Sequence, residues 1–457
     1  MLNTLPEPDV IVVGAGFAGL AAADRLSAAG CRVVVLEAQQ RVGGRVATVH
    51  LPDGTPVDLG GQWLGPQHAR LHALAARLGA QVYPTPTDGH NLLYLGGQRH
   101  LFRGTVPLRL RPLTLGNLGW VLLRLHQLSQ RVPLETPWEA AQAAAWDGCT
   151  LGAWLRRNAP DAGAFTLSRI ALEAIFAAHP DELSLLHALF YLRAGGGLLH
   201  LVATGGGAQQ DRIVGGMQTL AERLAQEVER RGSSVRLGTP VRQVRTEGDR
   251  VVVEGEAGAV RGGRAIIALP PSMAGELSWH PALPQDHAEL LRRVPMGSVI
   301  KWAAAYEVPF WRARGLSGQA ISDEGPVHMT FDASPPAGKP GLLVGFVEGP
   351  AARRLASWDP AQRRQEVLRC LVRLFGDQAG SPQQYVERVW SAEPWSRGGY
   401  AGLFPPGVWT QLGQALRRPE GLLHFAGTET ATVWNGYIEG ALQSGERAAE
   451  EVLTCRL

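Results

Sequence analysis

VIVVGAGFAGLAAADRL at residues 10–26, followed by RVVVLEA at 32–38, reads as a strand, a glycine turn, a helix and a second strand. Val10 to Val13 is a short all-apolar run, the pattern of a parallel strand buried on both faces. Gly14, Gly16 and Gly19 follow in the spacing G-x-G-x-x-G, and Leu20, Ala23 and Leu26 then recur at helical spacing as far as Gly30. Such glycines have separate tasks: one permits a tight turn, one lets backbone approach a pyrophosphate, and one lets helix and strand pack closely. The helix start at Phe17 and Ala18 presents free N–H groups and the positive end of the helix dipole to phosphate. Glu37 comes eighteen residues after Gly19, where a carboxylate can accept ribose hydroxyls and disfavour a 2′-phosphate. The unit predicts an α/β protein with a Rossmann-like dinucleotide-binding fold, and alone it does not separate a nicotinamide from a flavin.

Around this unit the chain has 457 residues, with 44 basic against 41 acidic side chains and a net charge of +3. No single-sign field recruits nucleic acid or an anionic membrane, so a small molecule is the expected partner and nucleic acid is not. Only Lys301 and Lys339 are lysines; the other basic residues are arginines. Cys31, Cys149, Cys370 and Cys455 lie far apart, without the spacing of a metal site or a redox pair. No metal is expected, and a reducing, cytoplasmic setting is. The first residues lack the basic start and apolar stretch of a secretory signal.

Helical periodicity marks residues 117–128, 139–156 and 165–176, so about 80–210 reads as a helical insertion. A second α/β portion follows: a helix over 218–230, a strand at 234–237, a hairpin over 241–254 and a strand at 265–269 stopped by Pro270 and Pro271. A strand at 422–425 and a helix over 436–453 close the chain. The expected division is a discontinuous dinucleotide-binding domain of residues 1–79, 210–285 and 390–457, with a substrate domain of 80–209 and 286–389.

Three further stretches carry a family resemblance: AQQRVGGR at 38–45, DLGGQW at 58–63, and HFAGTETATVWNGYIEGALQSGERAAEEVL at 424–453. The chain resembles the flavin monoamine oxidases, FAD-dependent amine oxidoreductases. The resemblance implies a two-domain flavoprotein: a Rossmann-like FAD-binding domain of the glutathione reductase 2 type, interleaved with a mixed sheet and helical substrate domain. It implies that Ala38, Gly44, Arg45, Gly61, Gln62 and Trp63 run along the pyrophosphate and flavin, Arg45 offering a planar fork to phosphate oxygens. Gly427, Thr428 and Glu429 are expected near phosphates and ribityl chain, the backbone at Ile438 near the isoalloxazine, Val241 at the adenine and Trp390 at the benzenoid end.

Lys301 stands in the apolar run VPMGSVIKWAAAYEVPFW, where burial of a lysine is costly and lowers its pKa. It matches the family lysine that holds a water against the flavin and serves reoxidation by O2. Tyr400 and Tyr437 match the paired aromatics flanking the substrate amine, and Gln209 matches a glutamine of the substrate cavity. The implied reaction passes a hydride equivalent from a neutral amine to flavin N5, giving an imine, then aldehyde and ammonia, with hydrogen peroxide from O2; no general base is evident. Primary monoamines are the favoured substrates. Polyamine or diamine oxidation, with Asp211 or Glu182 as candidate acids, and L-amino acid oxidation are the alternatives; a desaturase, porphyrinogen oxidase or non-catalytic flavoprotein ranks lower. Gly399 stands where the mitochondrial enzymes carry a flavin-linked cysteine, so FAD is expected to be noncovalent. The chain ends at Leu457, so no membrane anchor is expected. The direction of Arg397 and a homodimer are left open.

Overall fold

The computed structural model describes residues 7–455. A five-stranded sheet has the order Leu423–Phe425, Arg264–Ile267, Val10–Val13, Val33–Leu36, Ser234–Arg236, parallel throughout. Side chains alternate across it. Val10, Val12, Val33 and Val35 pack under Phe17–Ala28, Gln218–Arg230 and Ile438–Thr454, whereas Ile11, Val13, Val34 and Leu36 pack on Val244, Val251 and Val253 of a four-stranded sheet. Burial on both faces is why the strands Val10–Val13 and Val33–Leu36 carry no polar residue. The last helix lies against the first so closely that a Cβ on Gly445 would stand 2.1 Å from the Ala18 carbonyl oxygen.

A second, mixed sheet of seven strands runs Gln384–Val389, Val299–Tyr306, Gly341–Glu348, Val327–Asp332, Leu316–Ser322, His90–Leu95, Gln98–Phe102. Ile300, Trp302, Ala304 and Tyr306 face the helix Pro360–Phe375, through Val367, Leu371 and Phe375. Val299, Ala303 and Ala305 face the opposite side, with Phe331 and Phe346. Lys301 sits in that second row.

The insertion is helical, with Pro112–Ser129, Leu151–Asn158, Ala162–Phe176 and Leu185–Ala194 as its principal helices. The expected single helix over 139–156 is broken. A 3-10 turn Pro137–Glu139 and a short helix Ala143–Asp147 precede Gly148, and a new helix starts at Leu151 because Thr150 caps it, its hydroxyl accepting from Ala153 N at 3.0 Å. Among the described residues no helix is long and apolar enough to cross a membrane.

Candidate active site

A cavity of about 340 Å³ opens at the carboxyl ends of the parallel strands and runs beneath the seven-stranded sheet. Open α/β sheets place ligands at that edge. Here the three glycines divide their tasks. Gly14 holds φ +102°, and a Cβ there would meet the Ala268 carbonyl oxygen at 2.8 Å. A Cβ on Gly19 would lie 1.9 Å from the Gly14 carbonyl oxygen. A Cβ on Gly16 would meet nothing nearer than Gly44 Cα at 4.0 Å, and both residues line the cavity. Gly16 is therefore the place where a ligand, not protein, needs the room.

Glu37 is anchored from two sides, Oε2 accepting from Ala15 N at 2.7 Å and Oε1 from Gln39 N at 2.9 Å. Burial pushes its carboxyl pKa up, while the backbone hydrogen bonds oppose that shift. Ala38 and Val241 line the wall beside it.

Arg45 meets Glu429 in a bidentate pair, Nη1 to Oε1 at 2.6 Å and Nη2 to Oε2 at 3.0 Å, and Nη1 also donates to the Tyr400 carbonyl at 2.9 Å. Two of its five N–H donors, on Nε and Nη2, are left for phosphate oxygens. Glu429 departs from expectation: it is buried away from the cavity lining and also accepts from Gly402 N at 2.9 Å. Its place is to orient Arg45. Gly427 and Thr428 do line the cavity; Thr428 Oγ1 donates to the Tyr437 carbonyl at 2.8 Å, at the start of Ile438–Thr454.

Lys301 is buried, with Nζ donating to the Gly60 carbonyl at 2.8 Å and to Gln62 Oε1 at 2.6 Å, and lying 5.6 Å and 5.5 Å from the Trp63 and Phe346 ring centres. Desolvation lowers its pKa to about 7. Two of its three possible N–H donors are used, and the third is available to a water. Tyr400 and Tyr437 both line the cavity; Tyr400 stands edge-on to Phe346 at 5.8 Å, and Tyr437 packs against Trp434, His68 and Tyr191. Burial raises both phenol pKa values, so both rings are neutral. Trp390 reaches the lining with its Nε1 fixed on the Leu59 carbonyl at 2.8 Å. Gln209 does so with Nε2 on the Leu201 carbonyl at 2.7 Å and its Oε1 buried without a partner.

Sequence reasoning missed Glu348. It lines the cavity and accepts from the Tyr400 hydroxyl at 3.2 Å. Its signal was an acid ending the apolar run GLLVGFVE. Asp211 and Glu182, the acids considered for a polyamine, stay off the lining: Asp211 accepts from Gln210 and Glu182 pairs with Arg353. Arg397 is on the cavity lining yet exposed, ion-paired with Glu276, which lines it too.

The walls fit a flavin dinucleotide. Two helices begin at the lining, behind Gly16 and Tyr437, with no side-chain cap on either, and Gln62 Nε2 and Trp63 Nε1 are buried donors without partners. These are the free donors that an anionic, carbonyl-rich ligand takes up.

The sequence profile of the family described as flavin containing amine oxidoreductase matches residues 17–453. The AofH protein of Mycobacterium tuberculosis, which bears the name of a flavin-containing monoamine oxidase, is 43% identical over 444 residues, 97% of this chain and 96% of that one. Cyclohexylamine oxidase from Brevibacterium oxydans superposes with a TM-score of 0.94 at 32% identity, covering 99% of this chain and 100% of that chain. Putrescine oxidase, solved with putrescine bound, gives 0.93 at 30% identity over 98% and 99% of the two chains.

Proposed function

The chain belongs to the flavin-containing amine oxidoreductases, and on that premise we propose that it oxidises primary monoamines at a noncovalently held FAD, yielding aldehyde, ammonia and hydrogen peroxide. The observation that carries the reading is the meeting of Lys301, Tyr400 and Tyr437 on one cavity whose other walls include Ile175, Leu201, Val202, Met329 and Phe331. When bound, FAD supplies the acceptor for two electrons from the amine and returns them to O2. Gly14, Gly16, Glu37, Arg45 and the start of the last helix would hold it; Gly399 offers no thiol for a covalent link.

The two phenol rings would form a slot that orients the amine's α-carbon, and the apolar walls accept an uncharged tail and exclude water. Lys301, poised to about 7, would hold a water by its third N–H and supply positive charge where oxygen is reduced. The division into a cofactor portion (1–79, 210–285, 390–457) and a substrate portion (80–209, 286–389) belongs to the same proposal, supported by the parallel sheet in the first and all seven strands of the mixed sheet in the second. A cytoplasmic setting belongs to the same proposal, supported by the wide separation of the four cysteines in the sequence.

Diamine oxidation is a second reading, favoured by one observation, the carboxyl of Glu348 on the wall. A peroxide-release assay over benzylamine, tyramine, putrescine, spermidine and L-amino acids separates the two. Arylalkyl monoamines are expected to lead; preference for putrescine moves the substrate, and no peroxide from any of them defeats the reading.

A further inference from the structure

Glu348 is a buried carboxyl that the monoamine reading leaves without a role. It ends the strand Gly341–Glu348, opposite Val299 in the register that sets Phe346 opposite Lys301, so strand alternation turns Phe346 and Glu348 to the same side. That side is the cavity. Glu348 is 3% exposed; Oε1 takes the Tyr400 hydroxyl, and Oε2 is buried with no hydrogen-bond partner.

The ionisable groups around it come from three directions. Tyr400 is a neutral phenol. Glu173, on the helix Ala162–Phe176, adds negative charge, though Arg169 holds it at 2.7 Å and His328 lies 3.9 Å away. Lys301, on the paired strand, is committed to Gly60 and Gln62. Among the described residues no cation forms an ion pair with Glu348, and burial pushes its pKa up to about 8. A buried acid with a vacant oxygen, no cationic partner and a place on a cavity wall is suited to receive a cation from outside.

We propose that Glu348 is the proton acceptor for the ammonium form of the substrate. The inference rests on the amine-oxidising reading. An N–H bond of R–NH3+ breaks, its electron pair stays on nitrogen, and the proton forms an O–H bond at Oε2. The ammonium–carboxylate pair thereby becomes free amine and carboxylic acid, the uncharged arrangement that a low-dielectric cavity favours. An alkylammonium resembles the lysine side chain and gives up its proton to water only at about 10. Glu348 would extend productive binding below that limit, down to about 8, where the carboxyl itself is protonated in the free protein.

The test is Glu348→Gln in the holoenzyme, with Glu348→Leu as a second variant should the amide disturb the strand. The wild-type kcat/KM for benzylamine should level off above about pH 8. The variant should keep rising toward the amine's own pKa, its deficit being about tenfold or more larger near pH 8 than near pH 10. Binding of α,α-dimethylbenzylamine, which has no α-hydrogen to lose, is followed by calorimetry near pH 9 in buffers of different ionisation heat. The wild type should release almost no proton and the variants close to one. A deficit of equal size at every pH would mean that Glu348 only positions Tyr400, and a deficit confined to diamines would make it a holder of the distal ammonium; either overturns the proposal. Lack of turnover on any amine by the wild type would sink the amine-oxidising reading, whereas the proton count, taken without turnover, decides the role of the carboxyl separately.

Discussion

The guanidinium of Arg45 and the carboxylate of Glu429, 384 residues apart in sequence, lie fork to fork, with Glu429 1% exposed and Arg45 22% exposed. The pair ties the loop after the second strand to the turn before the last helix. Arg45 lowers the carboxyl pKa of Glu429 against the opposing effect of burial.

Removing one partner leaves the other as an uncompensated charge. Glu429→Ala is expected to cost about 3 to 5 kcal/mol of unfolding free energy and to weaken FAD binding, because the freed Arg45 fork loses its orientation. Chemical denaturation with saturating FAD checks the first effect and flavin titration the second. A loss under about 1 kcal/mol, the level of an exposed pair, would contradict this account.

The glycines of the turn should separate fold from ligand. Gly16→Ala adds a methyl group with no protein atom nearer than 4.0 Å. It should cost the unliganded fold less than about 1 kcal/mol while lowering FAD affinity. Gly19→Ala drives a Cβ to 1.9 Å from the Gly14 carbonyl oxygen, so helix or strand must shift, at a cost of about 3 kcal/mol or more. Thermal unfolding with and without FAD distinguishes the two patterns.

Lys301 makes stability depend on pH. Its folded pKa of about 7 lies below the ordinary 10.5, so between those values the unfolded chain binds a proton that the native protein does not. Unfolding free energy therefore rises with pH across that window. Lys301→Met has no such proton, and wild-type stability measured relative to this variant should grow from about pH 7 to about 10.5. A constant difference would show that the ammonium is not desolvated. The same variant should slow reoxidation of the reduced enzyme by oxygen, read by stopped-flow absorbance.

The mode of flavin attachment is tested by precipitating the yellow holoprotein with acid. With Gly399 beside Tyr400, all the flavin should appear in the supernatant. Flavin retained in the pellet would contradict noncovalent binding.

The sequence was most informative where the physics is local. The apolar run at Val10, the glycine spacing and Glu37 are each read within a few residues, and the structure has the strand, turn and helix there. What long-range contact decides was out of reach. Nothing near Arg45 announces that its partner is Glu429, so its fork was assigned wholly to phosphate. Glu348 was hidden for another reason: one acid at the end of an apolar strand reads as a surface terminus until Tyr400 is seen to cover it. The helix over 139–156 failed through a local signal that was passed over, a glycine at 148 followed by the capping Thr150.

The register of the mixed sheet bears on how this protein can be altered. Lys301 lies on one strand, Phe346 and Glu348 on the strand paired with it, and Met329 and Phe331 on the strand beyond that, the cavity residues of each strand standing two apart. The glycine turn and the Arg45 fork belong to other elements. A mutant library at Met329, Phe331 and Phe346 therefore changes the cavity wall without touching the glycine turn or the Arg45 fork, though Phe331 and Phe346 also pack on Trp63. An insertion of one residue in one of these strands would swap that strand's cavity row for its packed row; in Gly341–Glu348 it would remove Phe346 and Glu348 together.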